Sequence, residues 1–139
     1  MKELIGKKIV KVEIDRKQQH YLRFTTDTGE QLVYLADGDC CSESWFYSVS
    51  GLDCLLGQIV TAVEQINMGE IAEDGKSRQE SDELYSVKLT TGRGVADVEF
   101  RNSSNGYYGG NVEFCDAENW RSVNIPNVKF APITKDYIA

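Results

Sequence analysis

Asp97-Val98-Glu99-Phe100-Arg101-Asn102-Ser103-Ser104-Asn105-Gly106-Tyr107-Tyr108-Gly109-Gly110-Asn111 is the stretch whose reading decides the fold. Val98 and Phe100 alternate with Asp97, Glu99 and Arg101, which is the period of a strand with one buried face. Asn105-Gly106 then predicts a tight type I′ hairpin turn, because both residues tolerate positive φ. Two adjacent tyrosines and Gly109-Gly110 follow. One short loop therefore collects a guanidinium, aromatic rings, three amide side chains and backbone N–H groups unshielded by a Cβ. That set suits a flat, phosphorylated ligand. Arg101 offers a planar fork to phosphate. Phe100, Tyr107 and Tyr108 offer faces to a base. Asn102, Asn105 and Asn111 offer hydrogen bonds to ribose or base edges. The competing readings are structural: an outward-facing Arg101, a core Phe100, and glycines that only shape a turn or bulge.

Working outward, the same two-residue period recurs. Ile9–Ile14, Tyr21–Thr26 and Gln31–Leu35 read as three strands, with Asp27-Thr28-Gly29 turning the chain between the last two. Gln58–Asn67, Glu83–Thr91, Val95–Arg101 and Asn111–Cys115 read as four more. Trp45, Phe46, Val49, Leu52, Leu55 and Leu56 instead recur at helical spacing, and Gly51 interrupts them. A short helical segment over about 43–56 is expected, with Ser42 as its N-cap. Met68–Asp82 is charged and aperiodic, and reads as an exposed loop. The tail from 116 to 139 is irregular, apart from a short edge strand around Val128–Phe130.

The two halves resemble each other. Gly6, Ile9, Val12 and Glu13 match Gly57, Val60, Val63 and Glu64 at a constant offset of 51. Leu22, Phe24, Gly29, Val33 and Leu35 match Val87, Leu89, Gly94, Val98 and Phe100 at an offset of 65. The expectation is a single α+β domain over 1–139. It is mainly antiparallel sheet, built from two pseudo-repeated three-stranded meanders at about 3–50 and 54–115. A second loop, Asp37–Trp45, then corresponds to Asn102–Gly110. Asp37, Asp39, Ser42 and Trp45 join the candidate ligand-binding residues on that ground.

Composition narrows the function. A formal net charge of −7 argues against binding duplex nucleic acid, where clustered cations must displace counterions. A small anion in a local basic pocket remains compatible with it. No apolar run reaches the roughly twenty residues of a membrane span, and Met1 leads straight into Lys2-Glu3 with no signal-peptide pattern. A cytoplasmic protein is expected. The four cysteines at 40, 41, 54 and 115 make no metal-binding spacing. Asp37-Gly38-Asp39 fails the calcium-loop template, since Ser42 and Ser48 stand where glycine and glutamate are required. His20 is the only histidine, so a His20–Cys40 or His20–Cys41 pair is the one nucleophile–base combination to weigh. Nothing in the spacing brings them together. No catalytic residue, metal or cofactor is assigned.

Asp37-Gly38-Asp39-Cys40-Cys41-Ser42-Glu43-Ser44-Trp45 and Phe100–Gly110 resemble the two signature blocks of a small domain family of unknown function found in bacteriophages and prophages. The resemblance covers roughly residues 3–115 and implies an accessory phage protein acting inside a bacterium. The aromatic and asparagine-rich β-core is also similar to Thoeris anti-defence sponges. These hold cyclic ADP-ribose-like signals, and some hold cyclic oligonucleotides, without cleaving them. That resemblance implies ligand-facing Phe100, Arg101, Asn105 and Asn111. The leading expectation is sequestration of a small phosphorylated, cyclic nucleotide, with a homo-oligomer as a further possibility. The alternative is an acidic inhibitor that occludes a basic host protein.

Overall fold

A computed structural model describes residues 1–39, 41–72, 74–106, 109–116 and 125–139. Ten strands dominate it: β1 (Lys8–Asp15), β2 (Tyr21–Thr26), β3 (Gln31–Gly38), β4 (Glu43–Ser50), β5 (Gln58–Ile71), β6 (Ser81–Thr91), β7 (Gly94–Ser104), β8 (Gly110–Phe114), β9 (Phe130–Pro132) and β10 (Tyr137–Ile138). The longest helix among the described residues is one turn, α1 (Leu52–Leu55). The expected α+β domain is thus an antiparallel β structure with very little helix.

The strands run β10-β4-β7-β6-β5-β1-β2-β3-β8, with β9 added to β1. β1, β2 and β3 pair consecutively, as do β5, β6 and β7. The next strand in each half crosses over. β4 follows β3 in the chain but pairs with β7, and β8 follows β7 but pairs with β3. Inward residues from both strand sets meet in one core. Val12, Leu22, Phe24 and Tyr34 come from the first set, and Phe46, Val87, Leu89, Val98 and Phe100 from the second. Burying each such side chain contributes about 1.5–3 kcal/mol. β3 is buried on both faces. Its Val33 and Leu35 point away from that core and pack under Tyr21 and Phe130.

The expected helix over 43–56 is corrected to a strand followed by α1, and its failure has a physical cause. A β-bulge lies between Phe46 and Ser48 in the β4–β7 pairing. The extra residue lets Phe46 and Val49, three apart, both enter the core. Three-residue spacing in the sequence then imitates a helix. Ser42 caps nothing; its hydroxyl donates to the Asp39 carbonyl in the turn before β4, at 2.8 Å. The expected loop at 68–82 shrinks to the connection 72–80, because β5 continues through Met68–Ile71. The Asn105-Gly106 turn is not type I′. Gly106 has φ +100°, but Asn105 is not among the residues with positive φ. In the tail, β9 begins at Phe130 and β10 pairs with Val49 and Ser48 of β4.

Candidate functional site

Residues of the 37–45 and 100–111 segments come together where the halves cross. Asp37 and Gly38 of β3 lie opposite Asn111 and Gly110 of β8, and Ser44 of β4 lies opposite Asn102 of β7. The Ser44 hydroxyl donates to the Asn102 side-chain carbonyl at 2.8 Å, with both residues buried. A Cβ on Gly38 would collide with Ser42 Oγ and Asn102, and one on Gly110 with Ser44 Oγ and Asn102. Only glycine lets the strands pass this closely.

Residues 2–114, which hold both blocks, match the family model described as Domain of unknown function (DUF7448). The chain belongs to the DUF7448 family. This DUF7448 chain is also 32% identical over 107 residues to "Uncharacterized protein L278" of Acanthamoeba polyphaga mimivirus, covering 76% of this chain and 84% of that protein. No solved structure matches it.

Among the described residues, the crossing gathers carboxylates rather than cations. A shallow concavity of about 320 Å³ there is lined by Asp37, Asp39 and Glu113 beside Gly38, Gly110 and Asn111. Three carboxylates repel an anion. Asn111 is exposed but already engaged, donating to Glu113 and accepting from Gln65. Asn105 is exposed at the turn. Phe100 is fully buried and stacks on Tyr85 at 4.7 Å, with the rings 3° from parallel. Tyr107, Tyr108 and Cys40 lie outside the described residues. Among the described residues no group of His, Cys, Asp and Glu side chains is placed to hold a metal ion, and no helix is long and apolar enough to cross a membrane.

Arg101 is neither a free fork nor an outward surface residue. Its side chain is 2% exposed. Nη1 donates to Asp82 at 3.0 Å and Nη2 to Asp74 at 2.5 Å, and the guanidinium sits 4.0 Å above the Tyr47 ring. Burial disfavours the Arg101 charge, but the Asp74 and Asp82 hydrogen bonds outweigh it and raise its pKa. Asp82 is also buried and accepts the hydroxyls of Ser77 and Ser103. Arg101 thereby fastens the 72–80 connection over the outer face of β4. Lys76 covers Tyr47 at 5.0 Å, and Arg78 covers the buried Trp45 at 4.2 Å.

Cationic groups converge elsewhere. A groove of about 790 Å³ runs between the β1–β2 turn and the segment leading into β9. Arg16, Lys17 and Lys129 line it with His20, and Tyr21 and Phe130 supply aromatic surface. Asp15 is its one carboxylate among the described residues, and that group is buried, accepting the Lys17 backbone N–H at 3.0 Å. The walls are fixed. Phe130 pairs with Asp15 in the β1–β9 ladder, and the Arg23 guanidinium lies 4.1 Å over the Phe130 ring while its fork holds Glu13. Sequence reasoning missed this site. The Arg16-Lys17 pair was a visible signal, but nothing local joins a turn at 16–20 to residues more than a hundred positions later.

Proposed function

We propose that this DUF7448 protein is a non-catalytic binding protein that takes up a small phosphorylated nucleotide and holds it intact. Its phosphates lie on Arg16, Lys17 and Lys129, with the base against Tyr21 or Phe130. One observation carries the reading: in a chain of net charge −7, Arg16, Lys17 and Lys129 line one groove in which Asp15 is the only carboxylate among the described residues. Its volume falls in the range of about 300–1,000 Å³ typical of small-molecule sites. Low-dielectric walls focus the field of such a cluster on an incoming anion. Arg101 supports the site from a distance, through the 72–80 connection whose Arg78 reaches the β1–β2 turn. The viral relative fits a setting in which sequestration withdraws a host signal, which is the anti-defence reading. The reciprocal exchange of β4 and β8 supports descent of the two halves from one duplicated meander.

The test is incubation of the purified protein with cyclic ADP-ribose isomers, cyclic oligonucleotides and linear nucleotides, each followed by mass spectrometry before and after heat denaturation. Depletion of a compound, with its mass recovered unchanged on heating, is the expected result. Recovery at a changed mass makes the protein an enzyme. Depletion of none overturns the nucleotide reading and favours an acidic protein-binding inhibitor.

A further inference from the structure

We infer that Arg78, which lies outside the groove, is its positioning residue: the fork of Arg78 latches the cationic β1–β2 turn to β4. The inference rests on the proposed ligand site and adds how that site is held in shape. Arg78 Nη1 donates to Glu43 Oε1 at 2.6 Å, and Nη2 donates to the Gln19 side-chain carbonyl at 2.8 Å. Both Nη atoms reach the Gln18 carbonyl, at 3.4 and 3.5 Å. The guanidinium lies on Trp45, and the Arg78 backbone N–H donates to Ser103 Oγ at 3.0 Å. One residue of the 72–80 connection thus joins the turn and β4 through its side chain and β7 through its backbone.

The turn needs such a hold. Gln19 sits at φ +58°, a left-handed conformation that a residue with a Cβ adopts only when its surroundings impose it. Its N–H donates to the Asp15 carbonyl, and its carbonyl accepts the Phe46 N–H, both at 2.8 Å. Its side-chain amide donates to the Arg16 carbonyl at 2.8 Å. Gln19 therefore ties Arg16 to β4, and Arg78 holds Gln19. Releasing Arg78 reduces the fraction of molecules in which Arg16, Lys17 and His20 face the groove together. Apparent affinity falls by the same fraction.

Charge alone predicts the opposite sign at Glu43, whose carboxylate lies 3.7 Å from His20 Nε2. Removing an acid from the margin of an anion site tightens anion binding, whereas removing the anchor of a latch weakens it. The probes are adenosine 5′-monophosphate and inorganic pyrophosphate, titrated calorimetrically into wild type, Glu43→Ala, Arg78→Ala and Arg78→Lys. Loss of charged hydrogen bonds of this kind predicts about tenfold weaker binding in all three variants. Arg78→Lys is included because it keeps the charge and loses the fork. Amide hydrogen exchange of ligand-free protein is measured alongside, and Gln19 is expected to exchange about tenfold faster in Arg78→Ala. Unchanged exchange at Gln19, or tighter binding by Glu43→Ala, overturns the latch. Faster exchange with no probe binding to wild type supports the latch and overturns the ligand site.

Discussion

Replacing Arg101 with alanine separates its two readings, because one predicts lost ligand and the other predicts lost stability. The side chains of Arg101 and Asp82 are 2% and 3% exposed, 3.0 Å apart. Removing the guanidinium leaves a buried carboxylate with only the Ser77 and Ser103 hydroxyls as the side-chain donors described for it. Breaking a buried pair by deleting one partner costs about 3–5 kcal/mol. The two hydroxyls remain, and the Asp74 side chain is 37% exposed, so that half of the contact adds little. We therefore expect a loss near the lower bound, about 3 kcal/mol, against a total stability of about 5–15 kcal/mol. The variant folds but melts roughly 10 °C lower. Urea unfolding followed by tryptophan fluorescence reads this as a lower midpoint with an unchanged slope. Arg101→Ala/Asp82→Ala should recover part of the loss, since it no longer strands a charge. A midpoint for Arg101→Ala within about 0.5 kcal/mol of wild type, as for an exposed arginine, refutes the clamp.

Other outcomes follow from neighbouring contacts. The Arg101 hydrogen bond, with the Lys76 backbone N–H, lowers the Asp74 pKa from 3.8 to about 2. That contact stabilises the fold above about pH 4 and is lost as pH falls through about 2, so Asp74→Asn should show a weaker decline in urea midpoint across that window. Gly38→Ala and Gly110→Ala overpack the crossing and should each cost about 1–3 kcal/mol by the same assay. Lys17→Glu and Lys129→Glu should abolish depletion of the bound nucleotide in the mass-spectrometric assay while leaving the melting temperature within about 2 °C, because both residues are exposed.

Most strands were legible because alternation is a local signal. Tyr21–Thr26 has the expected bounds, and Leu22 and Phe24 share the expected buried face. What escaped was set by contacts distant in sequence. The bulge after Phe46 disguised β4 as a helix, and only its pairing with β7 reveals the extra residue. Arg101 stands at an outward position in β7, and nothing beside it announces that the 72–80 connection folds over that face. The polar residues of the 37–45 and 100–111 segments have a structural role that their sequence does not announce. Their glycines, serines and asparagine let strands cross, and the charged side chains described beside them are acidic. The basic groove was illegible because its walls come from residues 15–21 and 127–131.

The exchange of outer strands bears on how the chain reaches its native state. β3 waits for β8, and β4 waits for β7, with Asp37 meeting Asn111 and Ser44 meeting Asn102. Neither half can complete its sheet from its own residues, so a chain cut near Gly57 yields two fragments that need each other rather than two small domains. Loop closure over such separations slows folding. The same reciprocity lets the first half of one molecule accept the second half of another. Reassembly of two separately made fragments, and a dimer that trades halves at high concentration, are therefore the expected outcomes to seek by size-exclusion chromatography.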